Sequence, residues 1–246
     1  MWIWLAVGSA FMLGIYDIAK KQSLRRNSSL VVLLFATAFS TLFLTPWLSA
    51  GPLEHHLRLL LKAVLVTIAW ISGMEGLRLL PITTASTIKA TRPVFVLLLS
   101  LLIYGERLNL CQWTGCILAL LALYVLSVSS RKEGFAFSRS AGVWWMGLSV
   151  LAGVASALYD KHILGMMEPM FVQSWCNLYI TLLLALTLLA SYLRDKAHFQ
   201  PIRWDWNFLL IAVLITTADA LYFISLKQPD ALLSVISMVR RSSVLG

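Results

Sequence analysis

Apolar runs close to 20 residues long, broken by short polar links, make up most of the chain. A helix needs about 20 mostly apolar residues to cross the hydrocarbon core of a bilayer. By that measure the pattern predicts spans at 2–18, 30–49, 57–80, 83–104, 112–130, 142–158, 171–192 and 207–226, and a ninth start over 231–246. Pro52, Pro81, Pro169, Pro201 and Pro229 mark the links. Trp47, Trp113, Trp144, Trp145, Trp204 and Trp206 fall at predicted span ends, where indole rings favour the headgroup interface. The period-two alternation of an outer-membrane barrel is not seen. The expected fold class is therefore all-α, a polytopic bundle of transmembrane helices.

Composition agrees. Of 246 residues, 59% are hydrophobic and 13% charged, against roughly 45–50% apolar and about 25% charged in a soluble domain. The net charge of +9 reads as link Lys and Arg facing anionic headgroups, and no nucleic-acid partner is expected. Cys111, Cys116 and Cys176 lie in or beside apolar stretches without CxxC spacing, so they read as packing thiols. Met1-Trp2 offers no basic leader, and the first run ends in Ala19-Lys20-Lys21 without a small-residue cleavage site. It is expected to stay as a signal anchor.

An internal repeat accounts for the odd ninth start. Tyr16-Asp17 near the close of the first span matches Tyr159-Asp160 in the sixth, 143 residues on. The Leu80-Pro81 link matches Gln228-Pro229 at an offset of 148, which also aligns Ser86 with Ser234, Ile88 with Ile236 and Arg92 with Arg240. Two five-span halves are expected: 1–130, then a link over 131–141, then 142–246. An odd number of spans per half turns the second half upside down relative to the first. That is the inverted repeat of many secondary transporters, with the solute near the midplane between the halves. On this alignment Gly246 corresponds to Leu98, so ten spans are expected, with the ninth truncated and the tenth absent from this sequence.

Ala85-Ser86-Thr87-Ile88-Lys89-Ala90-Thr91-Arg92-Pro93 follows the Pro-marked turn, and Tyr104-Gly105-Glu106-Arg107-Leu108 then leads to Gln112-Trp113-Thr114-Gly115. With two five-span halves, these segments resemble the EamA-type members of the drug/metabolite transporter superfamily, whose fourth span closes on a Gly-Glu-Arg/Lys-Leu pattern. The resemblance implies a carrier that alternates access between membrane faces without hydrolysing nucleotide. The second half departs from the pattern, with Arg241 where the first has Pro93.

Charged side chains at mid-membrane are costly unless paired or hydrated, and so are candidate functional groups. Glu75, Lys89, Arg92, Asp219 and Arg240 qualify. Arg92 sits about 14 Å into its span at the helical rise. Ser86, Lys89 and Arg92 follow i, i+3, i+6 and form one polar stripe, repeated by Ser234, Ser237 and Arg240. Two basic stripes around a cavity favour an anionic or zwitterionic solute. Pro93 removes a backbone donor and can kink its span. Trp70 and Tyr222 are placed to close over a ligand, or simply to pack, while Gly73 and Gly76 allow close helix approach. The competing reading makes Glu75–Lys89 and Asp219–Arg240 buried ion pairs that fix helix register. Under the functional reading, Glu75 and Asp219 line the pathway or couple it to protons. Asp17 and Asp160, in last turns, fit an interfacial role.

The expected function is a secondary carrier, permease or exporter, moving a small metabolite such as an amino acid across the inner membrane. No metal or cofactor is expected, since no HExxH, GxSxG, Walker loop or GxGxxG occurs. A membrane-embedded enzyme and a non-transporting assembly subunit are the alternatives. Lys20, Lys21, Arg25, Arg26, Arg131, Lys132, Arg139, Arg194, Lys196 and Arg203 crowd the odd-numbered links. The positive-inside rule puts those links in the cytoplasm and the N-terminus outside; the resemblance implies the reverse.

Overall fold

The computed structural model describes residues 2–129, 141–194 and 202–241, with the backbone alone for Ser86 and several other helical positions. The described residues form ten α-helices and a 3-10 turn, and no strand. They are α1 (Trp2–Ser23), α2 (Ser29–Leu44), α3 (Leu53–Leu79), α4 (Ile82–Ala90), α5 (Arg92–Tyr104), α6 (Leu110–Ser129), α7 (Ala141–Leu164), α8 (Pro169–Arg194), α9 (Asn207–Lys227) and α10 (Leu233–Arg241). Seven helical stretches among them, Thr87–Tyr104 included, are long and apolar enough to cross a membrane. The ninth predicted start forms α10, whose nine residues extend only about 13 Å at the helical rise.

The links fall where local chemistry forbids continuation. Leu80 precedes Pro81 and is extended, with φ −120° and ψ 149°, since the proline ring excludes a helical conformation there. Gln228 before Pro229 does the same after α9, with φ −64° and ψ 142°. Ser28 caps α2 by accepting the Val31 amide, and Lys20 and Lys21 occupy the last turn of α1, where cations favour the carbonyl end of the helix dipole.

The helices pack antiparallel in pairs. Early α3 meets late α7 through Lys62 and Asp160, and late α3 meets early α7 through Leu80 and Gly142. Likewise α1 lies along α9: Ser9 donates to the Ala218 carbonyl at 2.7 Å, and Ser225 near the α9 end donates to the Trp2 carbonyl at 2.8 Å. Small residues permit the approach. A Cβ on Gly76 would lie 2.8 Å from the Met146 methyl carbon and 3.1 Å from its backbone nitrogen. In lipid, where apolar burial drives no helix pairing, such van der Waals fit and interhelical hydrogen bonding hold helices together.

Two faces result. On one, Asn27 after α1 both donates to the Arg203 carbonyl and accepts its amide, each at 2.9 Å. Its neighbours Lys20, Lys21, Arg25 and Arg26 make it the basic face. On the far face, Trp175 of α8 donates to Ser49, Lys227 of α9 to Met167, and the α10 start meets Glu106. Trp144 and Trp206 are 76% and 74% exposed, and Leu102 and Leu110 are 80% and 86% exposed. Such rings and side chains suit a lipid surround and would be anomalous in water. The protein is a multi-pass membrane protein.

Candidate functional site

The site starts at an interruption. The predicted fourth span is two helices, α4 and α5, joined at Thr91. Pro93, at the second position of α5, has no amide to offer the preceding turn. The backbone around it tightens: Thr91 N–H bonds to Ile88 O at 3.1 Å and Val94 N–H to Thr91 O at 3.0 Å, while the Thr91 hydroxyl takes the same Ile88 carbonyl at 2.7 Å. The stripe read along one helix is thus divided. Ser86 and Lys89 belong to α4 and Arg92 opens α5; the Ser86 side chain lies outside the described residues.

Arg92 points at α7. Its Nη2 donates to the Gly153 carbonyl at 2.8 Å. A Cβ on Gly153 would sit 2.9 Å from Arg92 Cζ and 3.0 Å from Nε and Nη1, so the glycine makes the notch that holds the guanidinium. Across the group, Arg240 of α10 pairs with Asp219 of α9 at 2.7 Å and lies 4.2 Å from the Tyr222 ring centroid, a cation–π distance. The Tyr222 hydroxyl donates to Asp160 Oδ2 at 3.2 Å. Asp160 Oδ1 in turn is 2.7 Å from Lys62 Nζ, and Lys62 also donates to the Ser156 carbonyl at 3.2 Å. A continuous polar chain therefore runs from α10 through α9 and α7 to α3. Lys62 and Asp160 are 5% and 4% exposed, and charges so enclosed persist only when paired and hydrogen-bonded.

Three cations differ. Among the described residues no carboxylate forms an ion pair with Lys89, Arg92 or Arg241. Asp17 interacts with Lys20, Arg241 and Lys89 only through space. Lys62 is buried and Lys89, Arg92, Arg240 and Arg241 are partly buried, whereas of the nearby acidic side chains Asp160 is buried, Asp219 partly buried and Asp17 exposed.

Of the residues singled out in the sequence, Arg240, Asp219 and Tyr222 meet directly, with Arg92 close enough to feel Tyr222, Arg240 and Asp160. Lys89 lies beside Gly73, its Cε 3.8 Å from where a Cβ would stand. Two fall elsewhere. Glu75 is one turn from the end of α3 and pairs with Arg78 at 3.1 Å, its side chain 37% exposed; it meets neither Lys89 nor the polar chain, so the Glu75–Lys89 pair does not form. Trp70 packs with Leu33, Ala63, Ile180 and Leu184, an apolar seam of α2, α3 and α8. The Asp219–Arg240 pair does form. Asp160 is buried rather than interfacial. Lys62 was not singled out because a span starting at 57 puts it in the second turn; α3 begins at Leu53. Its signal was a lone lysine between Leu59-Leu60-Leu61 and Ala63-Val64-Leu65.

A second cluster lies at the far face. Glu106, in the link after α5, accepts from Lys161 of α7 at 2.6 Å, from the Leu233 amide at 2.7 Å and from the Ser234 amide at 3.2 Å and hydroxyl at 2.5 Å. Lys161 stands 5.0 Å from the Tyr104 ring centroid. Burial alone would raise the Glu106 carboxyl, but the bonds from Lys161, Ser234 and Leu233 prevail and hold it below the ordinary carboxylate value.

Known proteins resemble this chain in sequence and fold. The profile of the EamA-like transporter family matches residues 1–128. A riboflavin transporter of Rhizobium johnstonii is 29% identical over 202 residues, 80% of this chain and 62% of the relative; the chain thus spans about three fifths of that protein. An S-adenosylmethionine uptake transporter of Rickettsia conorii is 22% identical over 224 residues, 86% of this chain and 69% of the relative. An uncharacterized transporter of Archaeoglobus fulgidus is 24% identical, over 96% of this chain and 87% of its own. One protein of known crystal structure superposes with a TM-score of 0.75 at 18% identity, over 98% of this chain and 87% of its own, which establishes the helical fold.

Proposed function

Because the chain belongs to the EamA-like transporter family, we propose that it is a secondary carrier for a small anionic or zwitterionic metabolite, with Arg92 as the solute's anchor. The observation that carries this reading is the contrast among buried cations. Lys62 and Arg240 each hold a carboxylate, whereas Arg92 holds a backbone carbonyl. A guanidinium in low dielectric seeks an anion, and since Asp160 and Asp219 are already engaged by Lys62 and Arg240, an anionic group of the solute would complete Arg92. Lys89 and Arg241 extend the basic surface from Arg92 toward Asp17 and Lys20. The relatives' stated solutes, riboflavin and S-adenosylmethionine, differ too much in charge to fix this one.

Packing supports two inverted halves. The pairs α3–α7 and α1–α9, α2–α9 and α3–α8, and α5–α7 and α1–α10 exchange with one another when α1, α2, α3 and α5 are swapped for α7, α8, α9 and α10; α2–α8 and α5–α10 map onto themselves. In the α3–α7 pair Ser149 of α7 donates to the Ala69 carbonyl of α3 at 2.6 Å, a serine-to-carbonyl bond like that of Ser9 to Ala218 between α1 and α9. The polar group then lies where the halves meet. The membrane is the inner, plasma membrane, with the basic face toward the cytoplasm.

The test is counterflow in reconstituted vesicles against a panel of amino acids, dicarboxylates and cationic amines, with and without a pH gradient. Saturable exchange of an acidic or zwitterionic solute is expected, and dependence on the gradient reads out proton coupling. Preference for the cationic amines would overturn the anchoring role. Solute conversion in detergent, without vesicles, would instead indicate an enzyme.

A further inference from the structure

Glu106 lies outside the polar chain, yet it is bound more fully than any carboxylate within it. It ties the first half of the chain to the second: from the link after α5 it takes an ammonium from α7 and closes on the first two amides of α10. Those amides have no carbonyl acceptors within their own helix and carry the positive end of its dipole, so a carboxylate is their natural ligand. Seven residues on, the same helix carries Arg240. Because α10 is a nine-residue rod, whatever fixes its first turn also fixes the guanidinium near its other end.

We propose that Glu106 is a positioning residue for transport: it latches the far face of the pathway shut and sets Arg240 at the solute site through α10. The proposal rests on the carrier reading. Closed, the latch joins Tyr104, Glu106, Lys161, Ala231 and Ser234. The Tyr104 hydroxyl donates to Leu158 O at 2.6 Å, and Lys161 reaches Ala231 O at 3.5 Å. Opening the far face moves α10 off Glu106, and the displacement reaches Arg240, which leaves Asp219 and Tyr222. Release of the solute and opening of its exit thus become one motion.

The chain contains its own reporter. Cys116 of α6 is 3% exposed and packs with Leu97 of α5 and with Val235 and Met238 of α10. It is covered while α10 stays docked. In a Cys111→Ser, Cys176→Ser background, alkylation of Cys116 by a membrane-impermeant maleimide is followed from each side of the membrane, alongside counterflow of the solute found in the vesicle screen. Glu106→Gln keeps the shape but removes the charge. It is expected to speed alkylation from the far face about tenfold, the weight of a charge-assisted hydrogen bond to a buried carboxylate, without changing the rate from the basic face. The maximal transport rate should fall more than the half-saturating solute concentration changes. A purely structural lesion would expose Cys116 from both sides. Lys161→Met, which leaves the carboxylate and its α10 bonds in place, is the second variant should Glu106→Gln fail to fold, and a smaller change in the same direction is expected. The latch is overturned if transport proceeds and Cys116 stays shielded in both variants. Should no solute exchange occur in any form while Glu106→Gln still bares Cys116 from the far face, the latch stands and the carrier reading fails.

Discussion

Arg92 and Arg240 align at an offset of 148 residues in the sequence, yet they are bound in opposite ways. Arg240 is neutralised by Asp219 and backed by the Tyr222 ring. Arg92 is bound by one peptide oxygen in a notch that only glycine leaves open. Of the two aligned positions, one cation holds a carboxylate and the other, among the described residues, does not. Under the proposed repeat the frame is supplied twice, and the neighbours decide which arginine keeps a carboxylate partner.

The difference can be broken most severely at Arg92. Arg92→Ala should lower counterflow by about a hundredfold at low solute, the scale of a lost charge-assisted contact, while the melting temperature in detergent hardly moves. Arg240→Ala should do the reverse in emphasis. It strands Asp219 and should destabilise the fold by about 1–3 kcal/mol, and a thermal-melt double-mutant cycle with Asp219→Ala should recover much of that loss. Equal melting shifts for the two arginines would remove the distinction. Gly153→Ala sharpens it: the new methyl lands 2.9 Å from Arg92 Cζ, and because the guanidinium is the end of a flexible side chain it moves aside. Half-saturation should rise several-fold with little loss of stability, while Gly147→Ala, which meets nothing within 4 Å, serves as control.

The smallest effect concerns the helix end that Arg240 has and Arg92 lacks. The folded state holds Glu106 below its ordinary value. The stabilisation is therefore fully present above the unfolded-state value and fades as pH falls through the lowered folded one. Lys161, Tyr104, Arg107 and Asp230 line the same recess, and none reverses that sign. The difference in melting temperature between the wild type and Glu106→Gln should shrink on going from neutral pH to about pH 3.

Much of this was legible in the sequence, for reasons that differ by residue. Spans are written in runs of apolar residues because lipid imposes a length, so the eight full spans emerged near their observed places, the fourth as one run where the structure has α4 and α5. Arg92, Arg240, Asp219 and Tyr222 were visible as polar residues where none is cheap. The register of one helix on another was not visible. It decides that Lys62 meets Asp160, that Glu75 stays clear of Lys89, and that Trp70 faces α2 and α8. Glu106 stood in a recognised segment, but its role depends on a helix start 127 residues later, and no local pattern announces such a meeting.

Gly105, which closes α5, adopts φ 60° and ψ 31°, and a Cβ built on it would meet nothing within 4 Å. The constraint there is chirality rather than room. An L-residue would carry a torsional penalty of about 1–2 kcal/mol, asparagine being the mildest offender, while a D-alanine introduced by chemical synthesis would fit without strain. The left-handed backbone of a single achiral residue thus aims the acidic side chain that follows it.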